Sequence, residues 1–396
     1  MLGFARDQQD LYLVEAPESA QPRVTAYRLA DGTVRWEAPV PRSEHTWLLR
    51  WEGVLLVQSY QATGGQTTVL DPGTGQELWS RQGGPEELLA GGHYLVSELR
   101  STVLEGIDED INEPPRRELT ALDPATGKPL WTVPVAGWNY ATGGEDSRYL
   151  VAYGGAGSEL ISFDLTTGER LASASASARL PVTESTDVQV VGSLVLLHDQ
   201  FGRPPTLTAY DVATLSPRWT ITDPGGPGFV WPTVCGDLLC LIGERPPRAL
   251  DPASGALVWS ADWFPFTDDT AGVVVSELAG AGLVGQQLLM TEHPWMHGWL
   301  IDAGTGEPAL DLRDWRLTPA RPEPAAGTGV PLLFQYGPER TVVGRLQPDL
   351  SGIRALGAID VSPPVDCGAD PGYVFCVSGT GSERPRELTV WRHRLP

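Results

Sequence analysis

The feature that most constrains this chain is a short motif, Asp-x-x-Thr-Gly-x-x-x-Trp, that returns along nearly all of its 396 residues. The clearest copies are Asp71, Gly75, Trp79; Asp123, Gly127, Trp131; and Asp251, Gly255, Trp259. Looser copies start at Asp164, Asp211 and Asp302, a shortened one runs from Asp31 to Trp36, and a degenerate one starts at Asp349. The aspartates recur about every 45 residues, too regularly for chance.

Each part of the motif has a mechanical reason. The residues before each Asp, such as Thr67-Thr68-Val69-Leu70 and Leu207-Thr208-Ala209-Tyr210, alternate or are β-branched and aromatic, the pattern of a strand. The Asp carboxylate can accept backbone N–H groups two or three residues on, and Pro at the next position presets φ for a type I turn. Gly then takes the left-handed position that closes the turn, and the next strand ends in a large apolar group, Trp or Leu, suited to packing between sheets. The aspartates are therefore read as turn-formers and not as catalysts. Upstream of each hairpin lies a run such as Gly53-Val54-Leu55-Leu56-Val57 or Ser193-Leu194-Val195-Leu196-Leu197, apolar enough for a strand buried on both faces. A less regular strand precedes it, giving four strands per repeat.

All-β patterning with this period predicts a propeller. The expectation is a single β-propeller over residues 1–396, with eight four-stranded antiparallel blades, or seven as the alternative. The strand count does not close: there are nine candidates for the second strand and eight for the fourth. The tail has a third strand, Glu387–Trp391, with no turn after it, so closure by pairing N- and C-terminal strands is expected.

The Asp-x-x-Thr-Gly-x-x-x-Trp hairpin resembles the quinoprotein-type repeat named after pyrroloquinoline quinone, over about residues 24–352. That family contains quinone-dependent dehydrogenases and cofactor-free scaffolds, among them a propeller lipoprotein of the outer-membrane assembly machinery. The dehydrogenase branch carries a disulfide between adjacent cysteines and a calcium or lanthanide beside a catalytic Asp. This chain has no adjacent Cys pair and no matching cluster of Glu, Asn and Asp, so the resemblance implies the scaffold branch and no quinone.

The four cysteines fall as Cys235/Cys240 and Cys367/Cys376. In both segments Cys-Gly starts a turn and an apolar strand returns to the second Cys, so two local disulfides are expected, with free buried thiols or a metal as alternatives. Disulfides imply an extracytoplasmic protein. The first residues, Met1-Leu2-Gly3-Phe4-Ala5-Arg6, do not read as a signal peptide, so an anchor or leader upstream of Met1 is expected, with a cytoplasmic protein as the alternative.

The net charge of −22 repels phosphate backbones and excludes nucleic acid as a natural partner. No apolar run is long enough for a membrane span, and a monomer is expected. Asp108-Glu109-Asp110-Ile111-Asn112-Glu113 begins like a calcium loop but lacks Gly at the sixth position and has Leu119 at the twelfth; a solvated acidic insertion is the competing reading. His293 and His297 flank Pro294 in a loop and are a weak metal pair. Neither a nucleophile elbow nor a phosphate loop is present. Trp47, Trp138, Tyr140, Trp231, Phe264 and Phe266 follow the repeat hairpins where the chain crosses to the next blade, and form a candidate binding face, with inter-blade packing as the alternative. The functional expectation is a non-catalytic scaffold that binds a protein, peptide or cell-envelope partner; a quinone-dependent oxidoreductase and a sensor ectodomain are the alternatives.

Overall fold

A computed structural model describes residues 4–7, 9–15, 21–43, 45–61, 64–83, 87–90, 92–99, 116–136, 139–142, 147–154, 159–175, 186–199, 204–222, 231–242, 246–263, 273–277, 287–292, 298–313, 315–317, 332–337, 339–347, 349–360, 365–370, 373–378 and 387–392. All regular structure among them is β, and it forms consecutive antiparallel meanders. Sheet 1 is Phe4–Arg6, Asp10–Glu15, Arg23–Arg28 and Val34–Pro39; sheet 2 is His45–Trp51, Val54–Gln61, Gly64–Leu70 and Glu77–Gly83. Sheet 3 is Glu87–Ala90, His93–Leu99, Arg116–Leu122 and Pro129–Ala136; sheet 4 is Asn139–Thr142, Tyr149–Gly154, Glu159–Asp164 and Arg170–Ser175. Sheet 5 is Thr186–Val191, Leu194–Asp199, Thr206–Asp211 and Pro217–Thr222; sheet 6 is Trp231–Cys235, Leu238–Ile242, Arg248–Leu250 and Leu257–Ser260. Sheet 7 is Val273–Glu277, Gln287–Glu292, Gly298–Asp302 and Pro308–Arg313; sheet 8 is Trp315–Leu317, Leu332–Tyr336, Thr341–Leu346 and Ile353–Ile359. Sheet 9 has three strands, Val365–Asp370, Tyr373–Ser378 and Glu387–Arg392.

This corrects two expectations. The described residues form nine sheets, so a count of eight blades is not supported. Nor, among the described residues, does a terminal strand add to sheet 9: Phe4–Arg6 pairs within sheet 1, which has four strands, and sheet 9 has three. The physical reason is that Phe4–Arg6 has a local partner across a short turn, Asp10–Glu15, and local pairing needs less loop closure than pairing with a distant strand.

The chain divides into two compact units, residues 1–202 with 208–218, and residues 203–207 with 219–396. In each, the core lies between successive sheets. In the first unit, Leu55 and Val57 of sheet 2 pack against Tyr12, Val24 and Trp36 of sheet 1. Val54 and Leu56, the alternate residues of the same strand, pack against Tyr94, Val96 and Leu122 of sheet 3. The second strand is thus buried on both faces, as its continuous apolar run requires, and each such side chain contributes about 1.5–3 kcal/mol of burial. Sheets 3 and 4, and 4 and 5, pack likewise. In the second unit, sheet 6 packs on sheet 7 and sheet 7 on sheet 8.

A four-stranded meander has two ends. The first-to-second and third-to-fourth turns lie at one, which we term the turn end. The second-to-third connection and the crossing to the next sheet lie at the other, the crossing end. First strands of neighbouring sheets lie side by side, as in sheets 1 and 2, 4 and 5, and 6 and 7.

Candidate functional site

At the turn end the repeat aspartates are used structurally. Asp123 Oδ1 accepts the amides of Ala125 (2.9 Å) and Thr126 (2.8 Å), and Gly127 N donates to Asp123 O at 2.8 Å. Asp251 and Asp302 repeat the arrangement. Gly75, Gly127 and Gly255 have φ of 72°, 67° and 71°, the left-handed conformation expected of them. Where a cation is added, the carboxylate is held below its ordinary value: hydrogen bonds from Arg218 and Thr214 keep Asp211 at a pKa of about 2. The Arg148 guanidinium holds Asp164 below the usual carboxylate range.

Five repeat tryptophans each join their sheet to the one that follows. Trp36 Nε1 donates to Pro72 O, Trp79 to Pro124 O, Trp131 to Leu165 O, Trp219 to Pro252 O and Trp259 to Ala303 O, each at 2.9 Å. The acceptor is always the residue after the next repeat Asp. The glycine of that same turn lies flat on the indole: a Cβ on Gly127 would stand 2.8 Å from the Trp79 ring, and one on Gly306 2.5 Å from the Trp259 ring. Trp259 is buried, whereas Trp79, Trp131 and Trp219 are half-buried. The reason is their place on the outermost strand, where one side of the ring meets the neighbouring turn and the other faces water.

This lock has an exception that the motif alone does not reveal. In sheets 1, 2, 3, 4, 6 and 7 the fourth strand carries a β-bulge just before the position of the repeat Trp; in sheet 2 Val69 pairs with Trp79 but Leu70 with Glu77. In sheet 4 Ser162 pairs with Ala172 and Phe163 with Arg170, so Ala172, and not Leu171, stands where the indole stands elsewhere. The next turn has Leu215 in place of Gly, with φ of 54°. Leu215 is 1% exposed, and Ala172 packs against its cluster.

At the crossing end, Trp47 and Trp231 occupy the same register. Trp47 pairs with Gln58, three residues beyond Leu55, which pairs with the residue before Asp71. Trp231 pairs with Ile242, three beyond Leu239, which pairs with the residue before Asp251. Tyr140 is the second residue of the first strand of sheet 4 but packs against the cluster that contains Leu95, Leu119 and Phe163. Trp47 is 54% exposed, and Gln58 beside it accepts a hydrogen bond from Tyr60 (3.4 Å). Trp138, Phe264 and Phe266 lie outside the described residues, as do the Trp231 side chain, Asp108–Glu113, His293 and His297. The structure therefore resolves two of the six aromatic side chains, and only Trp47 of the two faces solvent. Among the described residues, no group of three or more His, Cys, Asp or Glu side chains is placed to hold a metal ion.

Cys235 and Cys240 form a disulfide (S–S 2.07 Å, Cα–Cα 5.7 Å) that ties the first two strands of sheet 6 at the turn end. Cys367 and Cys376 are direct cross-strand partners in sheet 9; their side chains lie outside the described residues. The two pairs differ in construction, since Cys235 pairs in register with Leu238 and Cys240 with Thr233. The best-formed polar cluster is in sheet 1 and the adjoining strand of sheet 2. Asp7 accepts a hydrogen bond from Tyr12 (2.7 Å) and lies 3.5 Å from Arg50, while the buried Asp10 pairs with Arg35. Burial pushes Asp7 up, but the bonds from Tyr12 and two amides bring it below its ordinary value; Asp10 stays above, because burial outweighs Arg35. The two carboxylates are each matched by a guanidinium.

Comparison with known proteins matches a family model described as outer membrane protein assembly factor BamB to residues 3–110 and 64–228, more than half of the chain. BamB from Moraxella catarrhalis is 16% identical over 74% of this chain and 79% of that one, with a TM-score of 0.43. The computationally designed Ika8 protein is 12% identical over 99% and 95%, with a TM-score of 0.48. A structure titled as the eukaryotic initiation factor is 11% identical over 98% and 94%, with a TM-score of 0.57, a likeness of fold alone. No curated protein matches the chain.

Proposed function

The chain belongs to the family of the outer membrane protein assembly factor BamB, a family of PQQ-like β-propeller repeats, and from that premise we propose that it is a non-catalytic scaffold holding a protein partner of the cell envelope at the crossing end of its sheets. The observation that carries this reading is the contrast between the two ends. At the turn end the repeat's Asp, Gly and Trp groups are taken up in turns and inter-sheet locks. At the crossing end Trp47 keeps more than half of its surface in water beside a polar Gln58–Tyr60 pair. An exposed indole next to hydrogen-bonding groups is the composition of an interface anchor. The repeat runs through both compact units, which supports reading residues 1–396 as one repeat domain.

An extracytoplasmic location accompanies this function. The Cys235–Cys240 disulfide supports it, since such bonds persist in oxidising compartments, and a second disulfide is proposed between the register partners Cys367 and Cys376. The partner surface is proposed to be neutral or cationic, because the net charge of −22 repels anions.

The test is site-specific photo-crosslinking in the native host. A photoreactive residue at position 47 should capture one defined envelope protein, and the same residue at position 78, also exposed but on an outer strand, should not. Equal capture at both positions, or none at 47, overturns the assignment.

A further inference from the structure

Trp47 has a second aromatic side chain diagonal to it. On sheet 2 Trp47 pairs directly with Gln58 and His45 with Tyr60, so Tyr60 stands one strand over and two residues further toward the crossing end. By strand alternation Trp47, Gln58 and Tyr60 share one face. It is the face turned to sheet 3, since Leu56 packs there and Thr67, opposite Gln58, reaches the Tyr94 hydroxyl of sheet 3 at 2.7 Å. Trp47 is 54% exposed, and Gln58 and Tyr60 are half-buried. The Tyr60 hydroxyl donates to Gln58 Oε1 at 3.4 Å, so phenol and amide stand together beside the indole.

The spacing of the two rings selects what fits between them. A flat apolar ring in van der Waals contact with both needs them about 7–8 Å apart, and diagonal positions on neighbouring strands are about that far apart. A proline ring has this shape, and a segment in polyproline II form keeps its carbonyls free for groups such as the Gln58 amide. The row that holds Tyr60 continues across the sheet as Gly65 and Gly83, so it presents bare backbone to a ligand there. From the gap between the first two strands to the gap between the last two is two strand spacings, about 9.5 Å. Three residues of polyproline II helix rise about 9.3 Å. A Pro-x-x-Pro segment laid across the strands thus sets one proline between the rings and the next on the glycines. Of the described side chains in these two rows only Arg81, half-buried on the outer strand, is charged, so rings and not ion pairs read the segment. The net charge of −22 favours basic flanks over acidic ones.

We propose that the crossing end of sheet 2 is a docking site for a proline-rich segment with basic flanks, Trp47 and Tyr60 clasping one proline while Gly65 and Gly83 seat the next. This rests on the reading that a protein partner binds at the crossing end, and it names the part of that partner which is held. A neutral glycan also stacks on an exposed indole, but nothing in its shape requires a second ring on the diagonal or a bare shelf one polyproline turn away.

Calorimetric titration of the full chain tests the site without the natural partner. The probe is the synthetic peptide Arg-Pro-Pro-Ala-Pro-Pro-Ala-Pro-Pro-Arg, with the same peptide carrying alanine for every proline, and maltohexaose, as comparisons. The proline peptide should bind saturably and the alanine peptide should not. Trp47→Ala and Tyr60→Ala should each weaken binding about tenfold or more, and Leu78→Ala, exposed on the outer strand, should leave it unchanged. Trp47→Ala removes an exposed ring, so it decides the matter even if Tyr60→Ala does not fold. No binding of the proline peptide, equal affinity for the alanine peptide, unchanged affinity in Trp47→Ala, or saturable binding of maltohexaose in place of the peptide overturns the site. If position 47 crosslinks an envelope protein that the proline peptide does not displace, this site falls and the scaffold reading stands. If the peptide binds and position 47 captures no protein, the site stands and the scaffold reading falls.

Discussion

At the scale of single residues, the most instructive pair is Ala172 and Leu215. Five sheet-to-sheet seams place an indole on one side and a glycine on the other, and the glycine is required twice over: its φ is positive, and a Cβ would stand within 3 Å of the ring. At the seam between sheets 4 and 5 both members change together, the large side chain moving from the strand to the turn. Leu215 bears a left-handed φ of 54°, a conformation a branched side chain adopts at a cost of about 1 kcal/mol or more, because its side chain fills what the missing indole leaves. Leu215→Gly alone should destabilise by about 3–5 kcal/mol through the cavity. Ala172→Trp alone should cost about 1–3 kcal/mol through overpacking. The double variant should recover much of both, with a coupling of at least about 1 kcal/mol in urea denaturation; simple additivity would show that the two positions do not meet. This exchange is not legible in the sequence, because the bulge shifts the strand by one residue and makes Leu171 look like the terminal apolar group. The turn glycines, by contrast, are fully legible, since only a glycine tolerates the turn that Asp-x-x-Thr begins.

At the scale of elements, the hairpin and its lock explain what each repeat is for. A four-stranded sheet cannot bury both faces alone, and the indole N–H binds its outer strand to the next sheet's turn at a fixed height. Removing only the hydrogen bond separates it from packing. Trp79→Phe should cost about 1 kcal/mol for the lost bond to Pro124 O together with a part of the ring contact. Trp79→Ala should cost more, though less than the ~3–5 kcal/mol of a fully buried tryptophan, because the ring is half-buried. Equal losses in the two variants would mean that packing contributes nothing beyond the bond. The disulfide belongs to this scale too. A loop as short as Cys235–Cys240, with a sequence separation of 5, gains about 2 kcal/mol by the chain-entropy model, enough to pin the turn end of sheet 6 but not to hold a unit together. Thiol titration of unfolded, unreduced protein from its native compartment should find no free thiol; two would place Cys367 and Cys376 in the reduced state, and four would overturn the extracytoplasmic reading. Nine second strands and eight fourth strands are readable from the apolar runs and the Asp ladder, and these are the numbers the sheets contain among the described residues. What the pattern cannot supply is which ends pair. Terminal closure depends on competition between a local hairpin and a distant strand, and local patterning carries no record of that competition. The candidate binding end is readable only as far as its aromatic composition. The matching register of Trp47 and Trp231, and the packing role of Tyr140, need the pairing itself.

At the scale of the whole molecule, charge sets how the protein meets acid. The net charge of −22 produces self-repulsion at neutral pH, so protonating carboxylates relieves one destabilising force while removing others that stabilise. The turn aspartates decide the balance at the low end. Asp211 has its pKa lowered to about 2 by Arg218 and the Thr214 turn, and Asp164, Asp31 and Asp349 are lowered by their own hydrogen-bond donors. A carboxylate whose folded pKa is depressed contributes stability that is complete above its unfolded value and is lost as pH falls through the folded one. For Asp211 the window runs from about pH 4 down to about 2, and the other three lose theirs below about pH 4. Each contribution is small, since these side chains are largely in water, but the motif repeats them in the same window. Asp10 acts oppositely, its raised pKa adding stability on protonation, but it is a single residue. His198, with its pKa depressed as a base, costs stability from about pH 6.5 downward. Urea midpoints at constant ionic strength should therefore fall in two separate steps as pH is lowered. The upper step should vanish in His198→Leu, and the lower should remain there. Raising salt should lift the midpoint at pH 7, where screening relieves the repulsion among carboxylates, and should lift it much less at pH 4, where many of them are neutral. A single fall centred near pH 5, unchanged in His198→Leu, would mean that ordinary carboxylates and not the turn aspartates govern acid unfolding, and a midpoint indifferent to salt at pH 7 would remove self-repulsion from the account.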